Sequence, residues 1–202
     1  MSGIKSGTGT GNLVVYRGSS LYPCRAKLAA SRMGLPREEP PWLQQAAEEG
    51  NEHEAIIKRK LREEGWTIEG DGECPKCKEM FGDSRKGYHY EYTISAKAGG
   101  ATTDFAIVGH SDGKARFNKA GVVSPDRSYL NGSPTRLEVK TMSQFEYDRW
   151  MKDGWNGFPT YARQATAEWE GMGKEDGIKG MLYIVKNRNN GATDRRMLKE
   201  PP

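Results

Sequence analysis

The run Leu137-Glu138-Val139-Lys140-Thr141-Met142 constrains this sequence more than any other. Its apolar residues alternate with a carboxylate and an ammonium. On a strand, side chains two apart share a face, so Glu138 and Lys140 enter one small volume while Leu137 and Val139 face the other way. Asp112 stands in the Gly-containing turn that ends the apolar stretch 102–113 and can bring a second carboxylate to the same place. Two hard oxygen ligands from separate strands suit Mg2+ or Mn2+, which keeps several waters and takes its remaining ligands from a substrate phosphate. A lysine beside such an ion can position or deprotonate the attacking water and offset charge developing on phosphorus. Taken singly, a Glu-x-Lys strand is commonplace surface charge and Asp-Gly is commonplace as a turn. The combination is what points to chemistry.

Around this run the 202 residues read as one domain. Residues 1–18 read as a flexible, Gly/Ser/Thr-rich leader followed by a first strand, 19–186 as the single domain, and 187–202 as a polar tail. Ser19 and Ser20 offer N-caps for a helix over 21–34. A long helix or two abutting ones are expected from Pro41 to Gly65, with Ile57 and Leu61 on the apolar stripe. Residues 66–87 form a turn-rich insertion that carries Cys74 and Cys77. Strands are expected over 88–96, 102–112, 136–142 and 181–187, helices over 145–155 and 161–173, and an irregular connection or hairpin over 113–134. This order is α/β (α+β), a central mixed sheet flanked by helices. No Gly-rich phosphate loop follows a strand, which excludes a doubly wound nucleotide-binding fold.

The charge balance, 31 basic against 27 acidic side chains for a net +4, is mildly basic and compatible with a polyanionic partner. No stretch approaches the roughly 18 consecutive apolar residues of a membrane helix, and the start of the chain has no apolar signal core. Three cysteines, an odd number, argue against a disulfide framework and for a reducing cytoplasm.

Four elements in order resemble the PD-(D/E)XK nuclease superfamily, in the branch of RecB-type and lambda-type phage exonucleases and the related CRISPR-adaptation nucleases. Gly50-Asn51-Glu52-His53-Glu54 opens a helical stretch with apolar Ile57 and Leu61. It is similar to the branch's first motif, in which a Gly is followed four residues later by an acidic or His side chain that reaches the metal. Gly109-His110-Ser111-Asp112-Gly113 resembles its Gly-x-x-Asp-Gly element, Leu137 to Met142 its Glu-x-Lys-Thr strand, and Tyr161-Ala162-Arg163-Gln164 its Tyr-x-x-Gln helix. Together they span roughly residues 19 to 186. The resemblance implies a restriction-endonuclease-like core and a Mg2+- or Mn2+-dependent deoxyribonuclease. It implies an exonuclease acting on DNA ends or single strands, in phage or DNA recombination and repair processing, in the cytoplasm of a bacterial or phage-infected cell.

On this resemblance Asp112 and Glu138 bind the metal, Lys140 handles the water, Gln164 holds the site, and Tyr161 and Arg163 contact the strand. Four-residue spacing favours Glu54 as the further ligand, with His53 as second choice. A turn of about 100° per residue keeps both from pointing equally at one ion. Position 168 is Glu where the branch often has an aromatic, and Trp169 comes one residue later.

Cys74-Pro-Lys-Cys77 has the spacing of half a tetrahedral zinc site. Cys24 and His89 are candidates for the other two ligands, but with no second CxxC the expectation is an exposed turn with reduced thiols, structural Zn2+ being the alternative. Some relatives hold an iron–sulfur cluster through three cysteines near the C-terminus. No cysteine follows Cys77, so no such cluster is expected, and Cys24 reads as a small buried residue. Aromatic and basic residues between Gln144 and Arg163 suit single-stranded DNA, although helix-core packing explains Phe145 and Trp150 better. Two competing functions remain in view: an endonuclease or flap nuclease of the same superfamily, and a non-catalytic, zinc-stabilised DNA-binding module. Oligomeric state is not legible.

Overall fold

The computed structural model describes residues 14–17, 40–81, 86–98, 101–117, 132–172 and 177–202, with single positions 26, 29, 30, 33 and 35. Cys24, the leader 1–13 and most of the helix expected over 21–34 lie outside the described residues; positions 26, 29 and 30 are helical.

The described chain runs β1 (Val14–Arg17), α1 (Pro41–Glu63), β2 (Trp66–Glu69), α2 (Pro75–Phe81), β3 (Tyr88–Ala98), β4 (Ala101–Ser111), β5 (Gly113–Phe117), β6 (Thr135–Met142), α3 (Gln144–Asp153), a 3-10 turn (Gly154–Gly157), α4 (Pro159–Met172), β7 (Met181–Asn187) and β8 (Thr193–Leu198). Five strands form one mixed sheet in the order β2-β5-β6-β7-β8, and β1-β4-β3 form a second sheet. β6 and β7 pair in parallel, which requires a crossover, and α3 and α4 supply it. The fold is therefore mixed α+β, with a central mixed sheet flanked by helices.

The two faces of that sheet are covered by different helices. Leu137, Val139, Leu182 and Ile184 pack with Ile57 and Leu61 of α1. The intervening residues Met142, Met181, Tyr183 and Val185 pack with Tyr147, Trp150 and Ala165 of α3 and α4. β7 is buried at every position because it is covered on both sides. Period-two alternation thus puts Glu138 on the α3–α4 face, at a place where a hydrocarbon would be expected. A capping box fixes the start of α3: Ser143 Oγ accepts from the Glu146 N–H, while the Glu146 carboxylate accepts from the Ser143 N–H.

Four expectations need correction. Residues 66–87 are not simply turns. β2 has the alternating burial of a half-covered strand, α2 follows, and Glu73 pairs with Lys86 to close the segment. The polar tail contains β8, antiparallel to β7 from Met181↔Leu198 to Lys186↔Thr193, and it is fastened by paired hydrogen bonds from Arg195 to Glu64 (2.6 and 2.7 Å). Phe145 is no core residue: it is 78% exposed, whereas Trp150 is fully buried. Residues 113–117 form β5 rather than an irregular start to the following connection; 118–131 lie outside the described residues.

Tyr90 joins the second sheet to α4. Its ring lies so close to Gly109 that a Cβ there would fall 2.4 Å from the ring, and one on Gly171 would fall 2.6 Å away. Gly109→Ala forces this buried ring to move, and the expected cost is about 1–3 kcal/mol, the usual range for overpacking. Chemical denaturation should show the midpoint falling with an unchanged slope; an unshifted midpoint would mean the ring is not wedged there.

Candidate active site and metal centre

Asp112 sits in the bend between β4 and β5, where its Oδ2 accepts a hydrogen bond from the Val139 N–H (2.6 Å). That contact ties it to the backbone of β6, beside Glu138. Glu138 is 1% exposed, aimed inward rather than at solvent. Its Oε1 pairs with the Lys140 ammonium and accepts from Gln164 Nε2 (2.9 Å). The same amide nitrogen donates to Glu168 Oε1 (3.0 Å), one turn further along α4.

Glu168 is fully buried, and sequence reading noted it only as a departure from a pattern. The signal that could have found it is its i,i+4 relation to Gln164. The second oxygens of Glu138 and Glu168 are buried with no hydrogen-bond donor among the described residues. Glu168 lies near enough to Glu138 for its charge to disfavour ionisation there.

The electrostatics follow from this crowding. Burial, then repulsion from Glu168, pushes Glu138 up to about 8. Burial pushes Glu168 up to about 7. Burial, Glu138 and Glu54 together hold Asp112 well above the usual carboxylate range. Burial alone would lower the Lys140 ammonium, but Glu138, Tyr183 and Asp112 outweigh it and hold Lys140 well above its ordinary value. These neighbours favour the ammonium form of Lys140.

The ambiguity in the first motif has a geometric answer. Glu54 lies near enough to raise Asp112 and is held by Lys58 (2.5 Å), which also pairs with Asp71 (2.9 Å). His53 turns elsewhere, with Lys186 Nζ donating to its Nδ1 (2.9 Å); burial and then the Lys186 charge lower its pKa. One turn before Glu54, Gly50 lies over Thr141, where a Cβ would meet Thr141 Oγ1 at 3.8 Å. Tyr161 borders the site, with Lys140 Nζ 5.7 Å from its ring centre. Arg163, on the exposed side of α4, does not join the cluster.

A second cluster lies nearby. Cys74, Cys77, His89 and His110 offer four ligand atoms all within 4.8 Å of one another, an arrangement that could hold a metal ion. Both cysteines are buried, so the expectation of an exposed turn is corrected. His110, read in sequence only as part of the Asp112 turn, is a fourth member that sequence reasoning missed. Burial and then Lys76 lower the His89 pKa, favouring the neutral ring.

No protein-family model and no curated protein matches this chain. Among solved structures it is similar to one titled "Crystal structure of SSO0001", at 13% identity and a TM-score of 0.45, over 93% of this chain and 68% of that one. No helix among the described residues is long and apolar enough to cross a membrane.

Proposed function

We propose that this chain is a divalent-metal-dependent deoxyribonuclease, an exonuclease that hydrolyses DNA phosphodiester bonds from ends. The observation that carries the reading is the crowding of carboxyl groups in and beside the core, which keeps them from ionising together. Asp112, Glu138 and Glu168, with Glu54 at the edge, crowd around one pinned ammonium, and the outer oxygens of Glu138 and Glu168 lack donors. Such a cluster is costly in isolation and is what a hard divalent cation relieves.

The donor set is all oxygen, so it fits Mg2+ or Mn2+, with Asp112 and Glu138 as holders and Glu54 extending the set. When bound, the ion supplies Lewis-acid charge at the phosphate and a water of lowered pKa. The protein's own groups do the rest. Lys140, firmly protonated, stabilises charge on the phosphate oxygens. Gln164 keeps Glu138 and Glu168 in fixed rotamers by donating to both. Tyr161, stacked against Phe158 with ring centres 5.5 Å apart, forms a rigid wall for a nucleotide, and Arg163, exposed on α4 one residue before Gln164, attracts the strand's phosphates.

The test uses end-labelled linear DNA and closed circular DNA, each with Mg2+, Mn2+ or a chelator. The linear substrate is expected to be digested from its ends, the circle to persist, and the chelator to stop the reaction. Cutting of the circle would make the chain an endonuclease. DNA binding with no cleavage under either metal would overturn the enzyme reading in favour of a zinc-stabilised binding module.

A further inference from the structure

We propose that Cys74, Cys77, His89 and His110 bind one Zn2+ ion, and that this ion staples the 73–86 segment onto the β3–β4 hairpin. A tetrahedral site with bonds of about 2.3 Å to sulfur and about 2.0 Å to nitrogen separates its ligands by about 3.4–3.8 Å. Cys77 Sγ lies 3.4 Å from His89 Nδ1 and 3.2 Å from His110 Nε2, close to the separation a shared ion imposes, and all four ligand atoms fall within 4.8 Å of one another, so a small inward shift completes the set.

The histidines reach this point because β3–β4 register places His89 directly opposite His110. Cross-strand partners project from the same face, and here their rings meet edge to face at 5.3 Å. The cysteines reach it through a tight turn in which the Cys77 N–H donates to Cys74 Sγ (3.5 Å), a contact that also stabilises a thiolate. His89 Nε2 faces Glu91 at 3.6 Å, and Glu91 is held by Lys76 (3.1 Å). A carboxylate behind a ligating imidazole is the outer support that metal-bound histidines ordinarily have.

The local sequence gives an independent reason. Of residues 71–79, Asp-Gly-Glu-Cys-Pro-Lys-Cys-Lys-Glu, only Cys74 and Cys77 are buried. Within this polar stretch of 71–79 the two thiols are the side chains turned inward, so its burial falls on them. An ion holding both thiols anchors the stretch by coordination rather than by apolar area.

The centre also bears on the nuclease. His110 lies two residues before Asp112, so an ion holding His110 fixes the end of β4 from which Asp112 projects. This consequence rests on the proposed nuclease function; the zinc site itself does not.

Metal analysis of the purified chain is expected to give about one equivalent of zinc. Replacing it with Co2+ should produce the intense visible d–d bands of tetrahedral coordination together with sulfur-to-metal charge transfer. In Cys74→Ser/Cys77→Ser the zinc should be lost. Should that variant fail to fold, titrating the two remaining thiols of Cys24→Ser with a mercurial should release the zinc as the second of them reacts. Absence of zinc, zinc retained in the double variant, release unlinked to thiol titration, or a brown iron–sulfur absorption would each overturn the proposal. Zinc bound with no DNA cleavage in any metal leaves this site standing and removes the nuclease reading; cleavage without zinc does the reverse.

Discussion

Glu138→Gln is expected to lower Mg2+-dependent DNA hydrolysis by about 10³-fold or more, the scale on which loss of transition-state charge stabilisation is felt. The metal-free protein should stay folded and be no less stable. The substitution keeps the shape of the side chain and an oxygen that accepts from Gln164 and Lys140. It removes a buried charge that repels Glu168 and Asp112. Lys140→Met should abolish hydrolysis for a different reason and leave a different trace. It deletes the cation that offsets phosphate charge while sparing every oxygen ligand, so the rise in Tm on adding Mg2+ should survive. In Glu138→Gln that rise should be lost. Thermal shift with and without Mg2+, beside initial rates on linear DNA, separates the two. Unchanged digestion by both variants would remove the assignment of this cluster to catalysis.

How far these residues could be read in advance depended on the range over which each signal acts. Glu138 and Lys140 were legible because a strand's period is two and their apolar neighbours Leu137 and Val139 fix the faces. Gln164 was singled out only by the resemblance of Tyr161-Ala162-Arg163-Gln164 to a nuclease helix motif, which lies within one helix. Glu168 was not, because its role depends on facing Glu138 across the gap between α4 and β6. His110 was missed as a ligand for the same reason: its meeting with His89 is set by the β3–β4 register, which neither local stretch encodes. β8 was hidden by its composition. It is an edge strand whose polar residues make tertiary contacts: Asp194 accepts from Trp150 Nε1 (2.7 Å), Arg196 covers the Trp150 ring at 4.4 Å, and Arg195 pairs with Glu64. β2 was the one avoidable omission, since Trp66-Thr67-Ile68-Glu69 alternates as plainly as β6 does. A cysteine pair read as the mark of a turn drew the whole segment with it.

Metal-free protein should lose stability as pH rises from about 5 to 8, and Mg2+ should restore it most at the upper end. Glu138 is raised to about 8 and Glu168 to about 7, while unfolded carboxyls titrate near 4.3. Between those values the folded state holds more protons than the unfolded one, so stability is fully present below about 4.3 and is lost as pH climbs through the folded values. Asp112, also raised, adds to the same slope. Lys140 remains charged across the window and contributes no slope of its own. The loss is expected to be a few kcal/mol, on the order of 10 °C in Tm for a chain of this size. A divalent cation competes with that proton for the same oxygens. Its stabilising effect should therefore be small near pH 5 and large near pH 8. Thermal melts in chelator and in Mg2+ across this range, repeated on Glu138→Gln, read the effect directly. The variant should show a shallower slope and little response to Mg2+, whereas a wild-type Tm that rises with pH in chelator would mean these carboxyls do not hold a proton in the folded state.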